Sequence, residues 1–125
     1  MKRLVSIFLL VALSANILMA QVHLIPQPVE LKSGQGYFTL NPNSGISHPA
    51  NNPDAKRIAE QLAKQLSTAT GFKIPVLSGV MTTGMGNITL NISPTPDPKL
   101  GNEGYVLKLT ESLASITANT AAGLF

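Results

Sequence analysis

Residues 52–71, NPDAKRIAEQLAKQLSTATG, carry the start and stop signals of one amphipathic helix. Asn52 is placed to cap the first turn, Pro53 sits where a missing N–H costs nothing, and Gly71 supplies the residue that ends it. Ala55, Ile58, Ala59, Leu62, Leu66 and Ala69 recur at steps of three and four and form an apolar stripe. Lys56, Arg57, Glu60, Gln61, Lys64 and Gln65 fall on the other side. The favourable charge spacing, Glu60 with Lys64, contributes only about 0.2–0.5 kcal/mol. Packing of the stripe must therefore hold the helix, which needs an apolar surface to cover.

The other segments supply a sheet. The run NITLNI alternates, with Ile88, Leu90 and Ile92 on one face and Asn87, Thr89 and Asn91 on the other, read as the outer face. YVLKLT repeats the pattern through Tyr105, Leu107 and Leu109, and ASITAN through Ala114, Ile116 and Ala118. The short turn at residues 111–113 predicts an antiparallel hairpin between these two. FKIPVL reads as a strand at a sheet edge, because Pro75 removes a ladder donor. A further strand is expected at residues 37–41, entered through Gly34 and Gly36, and PNSGISHPANNP reads as a loop. A helix starts at about Thr120. The order predicts an α+β fold, a mostly antiparallel or mixed β-sheet with helices packed on one face. There is no internal repeat and no low-complexity tract.

Ahead of this lies MKRLVSIFLLVALSANILMAQ, with Lys2 and Arg3, an apolar run and small residues up to Ala20. That is the layout of a signal peptide cut between Ala20 and Gln21, so residues 1–20 are expected to be removed and residues 21–125 to form one domain. Ser6, Ser14 and Asn16 interrupt a stretch already too short for an anchor, and no membrane span is expected after cleavage. The expected location is periplasmic or extracellular. The formal net charge of +3 loses the two units of Lys2 and Arg3 and becomes +1. Few, scattered basic residues and the absence of Trp exclude a nucleic-acid surface. With no cysteine, the exported domain folds without disulfides and carries no lipid-modified N-terminal Cys.

Hydrolytic chemistry needs paired carboxylates or a nucleophile with its base. The carboxylates after residue 20 are Glu30, Asp54, Glu60, Asp97, Glu103 and Glu111, and none forms a compact pair in a distinctive motif. Asp54 and Glu60 suit the positive end of a helix dipole, and Glu103 and Glu111 flank a strand near turns. His23 and His48 stand apart in Pro-flanked segments, read as surface histidines. The glycine-rich SGVMTTGMGN precedes a strand and lacks Gly-Lys-Ser/Thr, so it is a connector rather than a phosphate loop. Asn87-Ile88-Thr89 and Asn91-Ile92-Ser93 match the N-glycan acceptor pattern but follow the parity of an alternating strand. Without Trp, a sugar-stacking platform rests only on Tyr37, Tyr105 and the phenylalanines. No catalytic, cofactor-binding or metal-binding residue is assigned.

Three blocks together, LIPQPVELKSGQGYFTL, LAKQLSTATGFKIPV and LGNEGYVLKLTESLASITANTAAGLF, resemble the N-terminal domain of bacterial β-N-acetylhexosaminidases of glycoside hydrolase family 20. The most specific portion is Gly104-Tyr105, two alternating strands, then Ala122-Gly123-Leu124-Phe125. The resemblance implies a supporting domain that packs against a (β/α)8 catalytic barrel lying beyond Phe125. It also implies an exo-acting hydrolase of terminal N-acetylhexosamine glycans, in which the substrate's own acetamido group attacks the anomeric carbon. In that family an adjacent Asp-Glu pair on the barrel serves the reaction, and no Asp-Glu dipeptide occurs here, so no catalytic residue is carried over. Related domains precede the barrels of family 84 hydrolases and of certain α-glucuronidases. A stand-alone exported module that binds glycans or another protein is the other reading. Residues 21–125 alone are expected to be inactive and marginally stable, with apolar strand positions open to water.

Overall fold

The computed structural model describes residues 27–79 and 84–125. The signal-peptide expectation and His23 lie outside the described residues. Contacts divide the chain into two units, Met1–Ser33 and Gly34–Phe125. In the first, the described residues are exposed, and Lys32 pairs with Glu30 at 2.8 Å.

The second unit contains β1 (Ile46–His48), α1 (Pro53–Thr70), β2 (Val76–Ser78), β3 (Asn87–Ile92), β4 (Tyr105–Leu109), β5 (Leu113–Ala118) and α2 (Ala121–Leu124). The strands form a five-stranded sheet in the order β2-β1-β3-β5-β4. The sheet is mixed: β1 pairs in parallel with β2 and β3, β3 in parallel with β5, and only the β4–β5 hairpin is antiparallel.

The helix forms as its signals dictate. Asn52 Oδ1 accepts from the Ala55 N–H at 2.9 Å, Pro53 occupies the first turn, and Gly71 at φ 74° donates its N–H to the Ser67 carbonyl. Ala55, Ile58, Ala59 and Ala63 are buried, with Leu62 and Leu66 half-buried. Ala63 rather than Ala69 completes the stripe, because the last turn runs past the sheet and leaves Ala69 exposed. Glu60 pairs with Lys56 at 3.7 Å instead of Lys64. An exposed pair of this kind contributes less than about 0.5 kcal/mol, whereas burying Ile58 contributes about 1.5–3 kcal/mol, so the stripe decides where α1 lies.

The register fixes the two faces. Val76, Ile46, Ile88 and Ala114 follow one another across the sheet, and Leu90 stands opposite Ile116 and Ile92 opposite Ala118. These side chains and the α1 stripe make one core, over which α1 packs on β1 and β2, and α2 packs on β5, β3 and α1. The helices thus share one face, as expected. The other face carries the polar Ser47, Asn87, Thr89, Asn91 and Ser115, with Leu77, Leu113 and Val106 among them. It is not an outer face as expected: Ser47, Asn87 and Thr89 are buried. They satisfy one another there, with Ser47 Oγ donating to Thr89 Oγ1 at 3.0 Å and Asn91 Nδ2 to Ser115 Oγ at 3.2 Å.

Two expectations fail at the front of the unit. Residues 37–41 form no strand. Phe38 and Leu40 alternate because they lean on the core, while the backbone turns at once: the Asn41 N–H donates to Ser44 Oγ, and the Ser44 N–H returns to the Asn41 carbonyl. The segment read as a loop instead contains β1, an interior strand of three buried residues. β2 begins after Pro75, at the expected edge, and the Pro75 carbonyl accepts from the Ile46 N–H. β3, the hairpin and the helical start after Thr120 appear where the sequence puts them.

Candidate functional site

The chemistry-bearing residues stay apart. Asp54 lies 3.9 Å from Arg57, Glu60 pairs with Lys56, and Glu30 with Lys32. Asp97 Oδ1 accepts from the Lys99 N–H at 2.9 Å and so closes a local turn. Glu103 leads into β4, and Glu111 sits in the hairpin turn against Gly36. Among the described residues no group of three or more His, Asp or Glu gathers into a metal site.

His48 corrects the expectation of a surface histidine. It ends β1, is buried, and its Nδ1 bonds the Pro49 carbonyl oxygen at 2.9 Å. It borders an open concavity of about 720 Å³ with Asn51, Asn52, Pro53, Lys56, Val76 and Ser78. The Asn52 side chain caps α1 and Lys56 pairs with Glu60, while His48 stands opposite Ser78 across β1 and β2 with its Nδ1 bonded to the Pro49 carbonyl oxygen. The glycan-acceptor asparagines are likewise engaged: Asn87 Oδ1 accepts from the buried Gly45 N–H at 3.0 Å, and Asn91 holds Ser115.

The connector also has a structural task. Gly86 takes φ 78°, and a Cβ there would sit 2.5 Å from the Thr39 carbonyl oxygen and 2.7 Å from Ser44 Oγ. Its N–H donates to the Ser112 carbonyl, which also accepts from Asn87, so the start of β3 is tied to the hairpin turn.

The built feature of the molecule is the block that delivers the chain to Phe125. Asn119, just past β5, gathers the loop before β4: its Nδ2 donates to the Asp97 and Gly101 carbonyls at 2.8 Å each, and its Oδ1 accepts from the Asp97 N–H. Thr120 donates its hydroxyl to the Asn102 carbonyl and accepts from the Ala122 N–H, which caps α2. A side chain on Gly104 would collide with the Leu100 carbonyl, and one on Gly123 would lie 2.6 Å from the Gly104 carbonyl oxygen and 2.9 Å from Ala118 Cβ. Two glycines of the sequence motif therefore meet, and their missing side chains let α2 seat directly on the start of β4 and the end of β5. This arrangement fixes the path of the chain from the end of β5 into α2.

Beside that exit the surface is apolar. Tyr105, Leu107 and Leu109 are exposed on one face of β4 and Val106 on the other, and Phe125 is exposed as well. The row Tyr105, Leu107 and Leu109 on one strand face is an exposed apolar strip of the kind that marks interaction surfaces.

Comparison with known proteins places this geometry. A family model described as glycosyl hydrolase family 20, domain 2, matches residues 21–125. The β-N-acetylhexosaminidase of Streptomyces coelicolor A3(2) is similar in structure, with a TM-score of 0.66 and 31% identity over 79% of this chain. The Streptomyces plicatus N-acetyl-β-hexosaminidase bound to thio-NAglucal gives a TM-score of 0.67 at 30% identity over the same share. A mutant of that enzyme holding its product GlcNAc gives the same TM-score and identity. This chain spans only 18% of the length of each of these structures. No curated protein matches the sequence.

Proposed function

The chain belongs to glycosyl hydrolase family 20, as that family's domain 2, and from this premise we propose that it is the supporting domain of an exported β-N-acetylhexosaminidase. The full-length protein hydrolyses terminal N-acetylhexosamine residues from glycans by the substrate-assisted route, with the acetamido group as nucleophile. The observation that carries this reading is the family match over residues 21–125 in a chain spanning 18% of hexosaminidases of similar structure. The scattered carboxylates agree with it, because the acid and the group that orients the acetamide must then come from the barrel. The family match also favours this assignment over family 84 or α-glucuronidase accessory domains.

The domain's task is mechanical. Asn119, the Thr120 cap and the Gly104–Gly123 contact hold the exit of the chain in one direction, and the apolar surface beside it packs against the rest of the enzyme. The segment at residues 1–20 supports export, which leaves Gln21 as the first residue of the mature protein. Among the described residues no helix is long and apolar enough to cross a membrane.

Expression of the gene through and beyond the Phe125 codon tests the reading. The product should release nitrophenol from nitrophenyl N-acetyl-β-glucosaminide, and Edman sequencing of the exported form should begin at Gln21. A full-length protein that ignores this substrate but cleaves a glucuronide would overturn the assignment.

A further inference from the structure

The parallel strands β1 and β2 end side by side beneath the start of α1. His48 closes β1 and stands opposite Ser78, which closes β2. It shares its strand face with Ile46, two residues earlier, so its ring lies on the helix side of the sheet. The residue is only 7% exposed, and its Nδ1 lies 2.9 Å from the Pro49 carbonyl oxygen. A carbonyl oxygen can only accept, so Nδ1 carries a proton and Nε2 is the ring's remaining polar atom. Among the described residues Nε2 has no hydrogen-bond partner, and it is not sealed from water either, because no sealed side-chain nitrogen or oxygen there lacks one. The uncommitted atom belongs to the wall of the concavity that His48 borders.

We propose that this concavity binds an oxyanion, either a free ion such as sulfate or phosphate or the acid group of a sugar. Its polar lining consists of donors. Lys56 supplies a charge that Glu60 holds only loosely, at 3.7 Å. Ser78 brings a hydroxyl, and Asn51 and Asn52 bring amides, of which the Asn52 oxygen is taken by the Ala55 N–H and its Nδ2 is left. α1 adds the positive end of an 18-residue helix dipole. Pro53 has no N–H and Asn52 takes those of Ala55 and Lys56, so Asp54 supplies the first turn's remaining one. No carboxylate among the described residues borders the concavity, and that of Asp54 lies by Arg57. The place is also where parallel sheets bind ligands, beyond the carboxyl ends of the strands at the point where strand order reverses: β1 has β2 on one side and β3 on the other. About 720 Å³ is more than one ion fills and suits a small organic acid. Nε2 can donate to an oxyanion only as imidazolium, so binding takes up a proton. Lys56 on α1 is the charged group on this wall, and β2 presents Val76 and Ser78. The site stands or falls independently of the hexosaminidase reading.

NMR of the full-length protein labelled at the histidine ring nitrogens tests this, with ionic strength held constant by chloride. The His48 signals are those lost in His48→Gln. Sulfate, phosphate and glucuronate are the probes, and glucose is the neutral control. Sulfate should move the His48 signals saturably and glucose should leave them in place. Tighter binding of glucuronate than of sulfate or phosphate would assign the site to sugar acids, and the reverse order to free ions, each within the same oxyanion chemistry. Lowering the pH from about 8 to about 5 should tighten sulfate binding, since sulfate stays a dianion while imidazole gains its charge. Lys56→Gln, on the exposed side of α1, should weaken binding about threefold to tenfold, and it keeps the test decisive where His48→Gln fails to fold. No saturable shift with any of the three oxyanions, an equal response to glucose, sulfate binding that ignores pH, or unchanged affinity in Lys56→Gln would overturn the site.

Discussion

β3 and β4 are written in the same way and end in opposite environments. NITLNI and YVLKL both alternate, both pair with β5, and both put aliphatic side chains on the helix face. β3 lies between two parallel neighbours, and its first four residues are buried on both faces; β4 has one neighbour, and every residue in it is exposed. Alternation states which residues share a face but not where in the sheet the strand lies. Position is set by pairings with residues distant in sequence, which no local pattern contains.

The sharpest contrast is between two leucines on that face, Leu90 and Leu107. In urea denaturation of the 125-residue chain, Leu90→Ala, at a nearly sealed site, should cost about 2–5 kcal/mol. Leu107→Ala should cost roughly 1 kcal/mol or less, since about half the side chain is already in water. Equal costs would break the comparison, and a larger Leu107 cost in the full-length protein would sharpen it.

The polar faces come next. Asn87→Ala should cost about 1–3 kcal/mol, because the buried Gly45 N–H loses its acceptor. Lys108→Ala, on the corresponding face of β4, should stay within about 0.5 kcal/mol. Gly123→Ala should cost about 1–3 kcal/mol by forcing α2 off the Gly104 carbonyl. Smaller still, Asn52→Ala removes one cap bond, for about 1 kcal/mol. Lys56→Ala breaks an exposed pair and should change stability by less than about 0.5 kcal/mol.

Legibility in the sequence tracks the range of the interactions. Asn52, Pro53 and Gly71 act through the first and last turns of α1, and the short turn closing the β4–β5 hairpin is also local, so both elements were readable. β1 was not: three residues flanked by prolines show no period, and Ser47 looks like a loop residue until Thr89 stands beside it. Residues 37–41 failed in the other direction, because Phe38 and Leu40 alternate like a strand while Asn41 and Ser44 bond each other. The polar side of β3 looked solvent-facing because hydroxyls and amides that satisfy each other across strands are indistinguishable in sequence from ones that face water. Ala63 and Ala69 exchanged roles because the stripe's period does not say where the sheet beneath it ends. As for the site, the sequence offered no compact carboxylate pair, and in α1 the acids lie next to cations of the same helix, Asp54 by Arg57 and Glu60 by Lys56. The Gly104–Gly123 contact was present in the sequence only as two glycines nineteen positions apart.

The central claim is that this domain positions an enzyme and supplies none of its reacting groups. It is tested most directly by measuring kcat of the full-length protein with Glu30, Asp54, Glu60, Asp97, Glu103 and Glu111 each replaced by the matching amide. All six variants should turn over at close to the unsubstituted rate. A loss of about 10²-fold or more in any of them, the size expected for removing a general acid or base, with the fold intact, would contradict the claim.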